Sequence, residues 1–287
     1  MFNSFSKSIL FAPLLSLLLG GVLVVSCGDD DNDEDVQTSS SNQNGGNNGG
    51  SNGSGSENDF PGKVYTVNGV SFKMIAVKGG TFQMGSDDGY EWEKPVHQVT
   101  LSDYYIGETE VTQELWTAVM GSNPSYYTGN MQRPVEMVSW IDCQTFISKL
   151  NQLTGETFRL PTEAQWEYAA RGGNKSKGYT YSGSNVLDDV AWYDDNSDGM
   201  THPVKTKAPN ELGIYDMSGN VYEWCSDWKG SYSSAAQTDP TGPATGSARV
   251  IRGGGWGNIA KGCRVASRCC GGTPSYSFSD LGLRLAH

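Results

Sequence analysis

Apolar and polar positions alternate in short stretches along most of the chain, and the period changes often. Residues 64–70 and 72–77 alternate around Asn68-Gly69, a dipeptide that supplies the two positive-φ residues of a two-residue turn, so the pattern predicts a β-hairpin. Residues 81–84, 98–101 and 104–106 continue as short strands. A helical period follows over residues 111–120, with Thr112 as N-cap, and again over residues 140–153, where Trp140, Cys143, Ile147 and Leu150 share one face. A third helix is marked by Pro161-Thr162-Glu163-Ala164-Gln165, in which Thr162 caps and Gln165 completes a capping box; Gly172-Gly173 after Arg171 ends it. Beyond it, roughly 110 residues rich in Gly, Asn, Asp and aromatic side chains show no helical period and no internal repeat. Short strands, three short helices and long loops predict an irregular α+β domain over residues 62–287.

The first 61 residues read differently. Lys7 precedes a nearly unbroken apolar run over residues 9–25, the shape of a secretion signal's hydrophobic region and barely long enough to span a bilayer. The run ends at Val24-Val25-Ser26-Cys27, which resembles a bacterial lipobox. That resemblance implies a signal peptide over residues 1–26 and a lipid anchor on Cys27. Gly28-Asp29-Asp30-Asp31-Asn32-Asp33-Glu34-Asp35 follows; it resembles the acidic export signal of Bacteroidota surface lipoproteins and reads equally as a solvated spacer. Residues 37–57 are almost only Ser, Asn, Gly and Gln, a composition that buries too little apolar surface to offset ordering entropy. Residues 27–61 are therefore expected to form a flexible tether, reaching on the order of 30 Å.

The formal charge of −12 sits mainly in that tether, which holds eight acids and no base, whereas residues 62–287 hold 24 acids against 19 bases. No basic stripe remains for phosphate backbones, so nucleic acid is excluded as a partner. Five cysteines follow Cys27: Cys143, Cys225, Cys263, Cys269 and Cys270. An odd number outside the cytosol leaves at least one unpaired unless it bonds another chain. None has zinc-knuckle spacing, and His97, His202 and His287 lie far apart. Cys143 reads as a small core residue. Cys263, Cys269 and Cys270 are candidates for redox or metal chemistry, or for one disulfide with spare thiols. Hard cations favour several oxygen ligands, backbone carbonyls included, and two stretches offer them: Asn185-Val186 with Asp198-Gly199-Met200, and Asn220-Val221-Tyr222-Glu223. Neither a nucleophile elbow nor a phosphate loop nor a dinucleotide fingerprint is present.

Longer words recur in a fixed order: Gly79-Gly80-Thr81-Phe82-Gln83-Met84-Gly85-Ser86, Glu110-Val111-Thr112, Pro134-Val135-Glu136-Met137-Val138-Ser139-Trp140, and Arg159-Leu160-Pro161-Thr162-Glu163-Ala164-Gln165-Trp166-Glu167. Gly213-Ile214-Tyr215-Asp216-Met217-Ser218-Gly219-Asn220-Val221-Tyr222-Glu223-Trp224, Arg252-Gly253-Gly254-Gly255-Trp256 and Leu281-Gly282-Leu283-Arg284 complete the series. Over about residues 62–287 the chain resembles the formylglycine-generating enzymes, or sulfatase-modifying factors. The resemblance implies a single domain related to the C-type lectin fold.

Catalytic members of that family oxidise a sulfatase cysteine to formylglycine with oxygen and a copper(I) ion held by two cysteines, a soft ion suited to thiolates. Carried over, the second cysteine is Cys263, the first falls on Asn258 and the motif serine on Gly255. Asn258 puts the copper centre in question, unless Cys269 or Cys270 folds back to Cys263. Arg264 and Arg268 are expected to favour a Cys263 thiolate. The resemblance also implies calcium at Asn185, Val186, Asp198 and Met200, and at Asn220, Val221 and Glu223; loops pinned by the same side chains are the alternative.

The sequence thus points to a lipid-anchored protein of the cell envelope, on the outer membrane and surface-exposed, that keeps the family fold with lost or altered oxidase chemistry and binds a protein or peptide partner. An active copper-dependent oxidase is the competing expectation. The related sulfoxide synthases need a helical domain with an iron-binding His set, which three scattered histidines do not supply.

Overall fold

Asn68 and Gly69 have φ of 48° and 83°, and they join β1 (Lys63–Val67) to β2 (Val70–Val77) with Val67 opposite Val70. Val70 therefore opens the second strand instead of closing the first, because a two-residue turn places it across from Val67. The computed structural model describes residues 61–268 and 271–287. The signal segment, Cys27, nearly all of the tether, Cys269 and Cys270 lie outside the described residues.

β3 (Gly80–Met84) and β4 (His97–Leu101) form a second antiparallel pair, and β5 (Tyr104–Gly107) returns to flank β2. The next two elements are helices. α1 (Gln113–Met120) starts two residues later than expected because the Thr112 hydroxyl accepts the Leu115 N–H and so stands outside the helix as its cap. α2 (Trp140–Thr154) opens on a capping box from Ser139 and Asp142. α3 (Glu163–Ala170) has the expected box, Thr162 with Gln165. The helix-poor stretch after it still contains one short helix, α4 (Leu187–Val190). β6 (Tyr222–Trp228) lies between antiparallel β8 (Arg249–Arg252) and parallel β9 (Leu281–Gly282), while β7 (Gln237–Thr238) adds to β4 in parallel. Beyond β9, Ala286 bridges to both Ile106 and Arg159, which fixes the chain end against β5.

Among the described residues two large apolar cores follow from these faces, with a smaller third one around Leu187 and Cys263. One joins α1 and α2 to the β1–β2 hairpin, with the Trp116 and Phe146 rings stacked at 4.8 Å. The other surrounds α3, all eight of whose residues are buried. Such a helix has no solvent face, so its polar residues need partners inside the protein. Glu163 pairs with Arg268, Glu167 with Arg171 and Arg252, and Gln165 accepts from Arg159. Of the expected face of α2, Cys143, Ile147 and Leu150 are buried and Trp140 is half-buried. Among the described residues no helix is long and apolar enough to cross a membrane.

Candidate functional site

The chain leaves β8 through Gly253 and Gly254, with φ of 101° and 73°. A side chain cannot replace either neighbour of the turn easily: a Cβ on Gly254 would stand 2.8 Å from Cys263 Sγ, and one on Gly255 would stand 2.9 Å from Asp280 Cβ. Gly255, at the motif-serine position, therefore lies against Asp280. Asn258 turns inward on the same loop. Its Oδ1 accepts the Gly255 N–H at 2.8 Å, and its own N–H donates to the Gly255 carbonyl at 3.0 Å.

Cys263 ends a single helical turn, Ala260–Cys263, and packs against Leu187, Ala191 and Tyr193 with no exposed surface. Burial pushes its thiol up to about 12, with a Gly219 backbone hydrogen bond acting the other way. The expectation that Arg264 and Arg268 would favour the thiolate is not met. Arg264 forks onto Glu93 at 2.6 and 3.1 Å, and Arg268 forks onto Glu163 at 2.7 and 2.9 Å. Both guanidiniums are held by buried carboxylates. Cys143, Cys225 and Cys263 are all free, buried thiols.

The residues expected at one calcium site lie in a buried polar network. Asn220 Oδ1 accepts the His202 N–H at 2.9 Å, while its Nδ2 donates to Glu110 Oε2 at 2.7 Å and to the His202 carbonyl. The Val221 N–H donates to Glu110 Oε1 at 3.1 Å. Glu223 accepts from Arg284, and from Trp166 Nε1 at 2.7 Å. Asp216 joins this network without having been singled out by the sequence, although it stands four positions before Asn220 in the same quoted word. Its Oδ2 accepts the Lys205 N–H, and its buried Oδ1 has no hydrogen-bond partner. Burial and the neighbouring carboxylates push Glu110 well above the carboxylate range; burial raises Asp216 to about 6. Three buried carboxylates here face one guanidinium.

The other expected set is on the surface. Asn185 and Val186 are exposed, and Asn185 Oδ1 accepts the Thr180 N–H at 2.9 Å. Asp198 is exposed with φ of 54°, and the Met200 N–H donates to the Ser197 carbonyl. Among the described residues, no three His, Cys, Asp or Glu side chains are grouped to hold a metal ion.

A cleft of about 550 Å³ opens elsewhere, lined by His97, Glu163, Asp227, Trp228, Tyr232 and Arg268 among others. Asp227 is raised to about 7 by burial and then by the Glu163 charge, against hydrogen bonds from Ser226 and the Glu163 N–H. None of the sequence-nominated copper or calcium positions lines it.

Residues 66–287 match the family described as the sulfatase-modifying factor enzyme 1-like domain. Chaperone protein LppX of Paenibacillus barcinonensis is 39% identical over 237 residues, spanning 65% of this chain and 79% of that one. The formylglycine-generating enzyme of Streptomyces coelicolor is 31% identical over 75% of this chain and 88% of its own length. Among solved structures, Treponema denticola variable protein 1 superimposes with a TM-score of 0.74 at 39% identity, covering 78% of this chain and 98% of that one. PvdO from Pseudomonas aeruginosa gives 0.63 at 27% identity, covering 79% and 98%. With its ordered words, its irregular α+β architecture, the family match over residues 66–287 and these relatives in agreement, the chain belongs to the sulfatase-modifying factor family, the family of the formylglycine-generating enzymes.

Proposed function

We propose that this protein is a lipid-anchored component of the cell envelope whose domain keeps the family scaffold as a binding module and does not carry out copper-dependent cysteine oxidation. One observation carries the reading. The position paired with Cys263 is Asn258, whose amide oxygen is hydrogen-bonded to its own loop, and Cys263 itself is a buried, protonated thiol at neutral pH. Copper(I) favours two deprotonated sulfur donors, so these residues do not fit it. The 39% identical relative bears the name of a chaperone, which is consistent with binding. The anchor at Cys27, with outer-membrane and surface placement, belongs to the same proposal and rests on the lipobox-like sequence.

Calcium is proposed at Asn220, Val221 and Glu223, and at Asn185, Val186, Asp198 and Met200. The orphaned Oδ1 of Asp216, beside more buried carboxylate than Arg284 balances, supports the first set. A bound calcium would supply positive charge and cross-link the loops. For the second set the support is sequence position alone.

The deciding experiment incubates reduced protein aerobically with copper(I) and a cysteine-containing sulfatase peptide. Mass spectrometry then reads loss of the thiol and gain of an aldehyde. No conversion is expected. Conversion that Cys263→Ser abolishes would make the domain an oxidase instead.

A further inference from the structure

Most buried carboxylates of the domain have a basic neighbour. Glu93, Glu163, Glu167 and Glu223 pair directly with arginines, and Arg284 or Arg268 stands near Glu110, Asp216 and Asp227. Glu136 and Asp280 do not. Glu136 is fully buried; its Oε1 accepts the Tyr127 N–H at 2.7 Å, and its Oε2 has no partner. Among the described residues Asp280 makes no ion pair, and the residue is half-buried. The two carboxylates are close enough for the charge of Asp280 to act on Glu136. Burial raises both, Asp280 to about 6.

Aromatic rings are neighbours of these groups, and both carboxylates act on Tyr127. Tyr126 and Tyr127 meet edge to face at 4.9 Å and 90°, and Tyr127 meets Trp256 at 5.4 Å and 84°. The indole N–H of Trp256 donates to the Ser279 carbonyl, the residue before Asp280, at 3.0 Å. Gly255, next to Trp256, packs on Asp280. Tyr126 is 71% exposed, so its ring is accessible from solvent. Three rings, with Tyr127 edge to face against each of the other two, beside two carboxylates without a counter-ion describe a recognisable chemistry. Ring faces attract a cation through their quadrupole, most strongly one that is large and weakly hydrated, and quaternary ammonium groups are the usual occupants of such cages. Two carboxylates fall short of the six or more oxygen ligands that a hard metal ion gathers, and among the described residues no third acidic, His or Cys side chain joins them, while a neutral apolar group would leave both uncompensated.

We propose that Tyr126, Tyr127 and Trp256, with Asp280 and Glu136 behind them, form a receptor for an alkylammonium group, either a small quaternary amine or the side chain of a lysine on a partner. The site rests on the reading of the domain as a binding module and gives that module its ligand class.

The test titrates the full chain with tetramethylammonium chloride, followed by calorimetry and tryptophan fluorescence at fixed ionic strength. tert-Butanol, of similar shape and neutral, is the control. A second arm uses one peptide carrying lysine, trimethyllysine or acetyllysine at the same position. Saturable binding of a cationic probe and none of the neutral ones is expected. Asp280→Asn should weaken it at least tenfold and Tyr126→Ala several-fold, each without lowering the melting temperature. Tetramethylammonium binding without peptide binding identifies a small amine; preference for a cationic peptide identifies a partner lysine. Equal binding of tert-butanol, unchanged affinity in Asp280→Asn, or no binding of any cationic probe overturns the proposal. Because peptide oxidation is read separately, that failure leaves the non-catalytic reading standing.

Discussion

Arg284 donates to Glu223 from Nε at 3.0 Å and from Nη2 at 2.7 Å, with both side chains fully buried. The same guanidinium reaches the carbonyls of Gly107 and Tyr215, so one side chain beyond β9 ties β5, β6 and the loop before β6 together. Its charge and Glu223's are both desolvated, and removing either leaves the other without compensation. Arg284→Met should therefore cost about 3–5 kcal/mol, the range for breaking a buried pair from one side. Denaturant unfolding measures it. A loss under about 1 kcal/mol would mean that water reaches Glu223 once the arginine is gone.

A smaller effect is expected at the start of α3. Thr162 accepts the Gln165 N–H, and the Gln165 side chain accepts the Thr162 N–H. Thr162→Ala should cost about 1 kcal/mol. The cost should shrink in a Gln165→Ala background, since the two halves of a capping box support one another. A strictly additive double-mutant cycle would show the caps to be independent.

These two sites mark what could be read from the residues. The α3 box spans four residues, and the Asn68-Gly69 turn two; each is a local rule carried by its own side chains, and both appear as expected. The Thr112 cap was also legible, and only the first helical residue shifted. The partner of Glu223 was not legible, because Arg284 lies 61 residues away and nothing local names it. The same holds for Arg264 and Arg268. Their nearness to Cys263 in sequence suggested an activated thiol, whereas Glu93 and Glu163, 171 and 105 residues distant, hold them instead. Burial defeats the local reading in the same way at Cys263, whose packing against α4 depends on a four-residue helix too short to leave a periodic signal. Glu136 and Asp280 lay inside or beside quoted words, but their lack of a cation is visible only once every arginine has been placed.

Stability should fall as pH rises through the weakly acidic range. Burial raises Asp227 to about 7, and Asp216 and Asp280 each to about 6, from an ordinary 3.8. Between about pH 4 and 7 the folded protein therefore holds protons that the unfolded chain has released. With more protons bound in the native state the slope of unfolding free energy against pH is negative. Melting temperatures at pH 5 should exceed those at pH 8 once other titrations are matched by comparison with Asp227→Asn, which should show a flatter profile. A steeper decline in the variant would reverse the assignment.

Cys263 is expected to be inert in the folded protein. Thiol reagents attack the thiolate, and a group raised to about 12 holds only a vanishing fraction of it at pH 8, behind side chains that leave no exposed surface. Iodoacetamide should therefore leave the Cys263 peptide unmodified under native conditions and label it completely in denaturant, as read by mass spectrometry after digestion. Rapid native labelling would contradict both the burial and the raised thiol. Asn258→Cys extends the argument to the family chemistry. Its side chain now closes a turn onto the Gly255 N–H, and a thiol is a poor substitute for an amide oxygen there, so a modest destabilisation is expected. The new sulfur would stand at the position that the oxidase members fill with cysteine. If the missing ligand alone separates this domain from them, the variant acquires copper-dependent conversion of a sulfatase peptide while the parent shows none. If burial of Cys263 is a second barrier, the variant stays inactive even though it folds, and copper(I) titration followed in the ultraviolet shows no thiolate band. The second result is the one expected, because substitution at Asn258 does not move Leu187, Ala191 or Tyr193 away from the buried thiol.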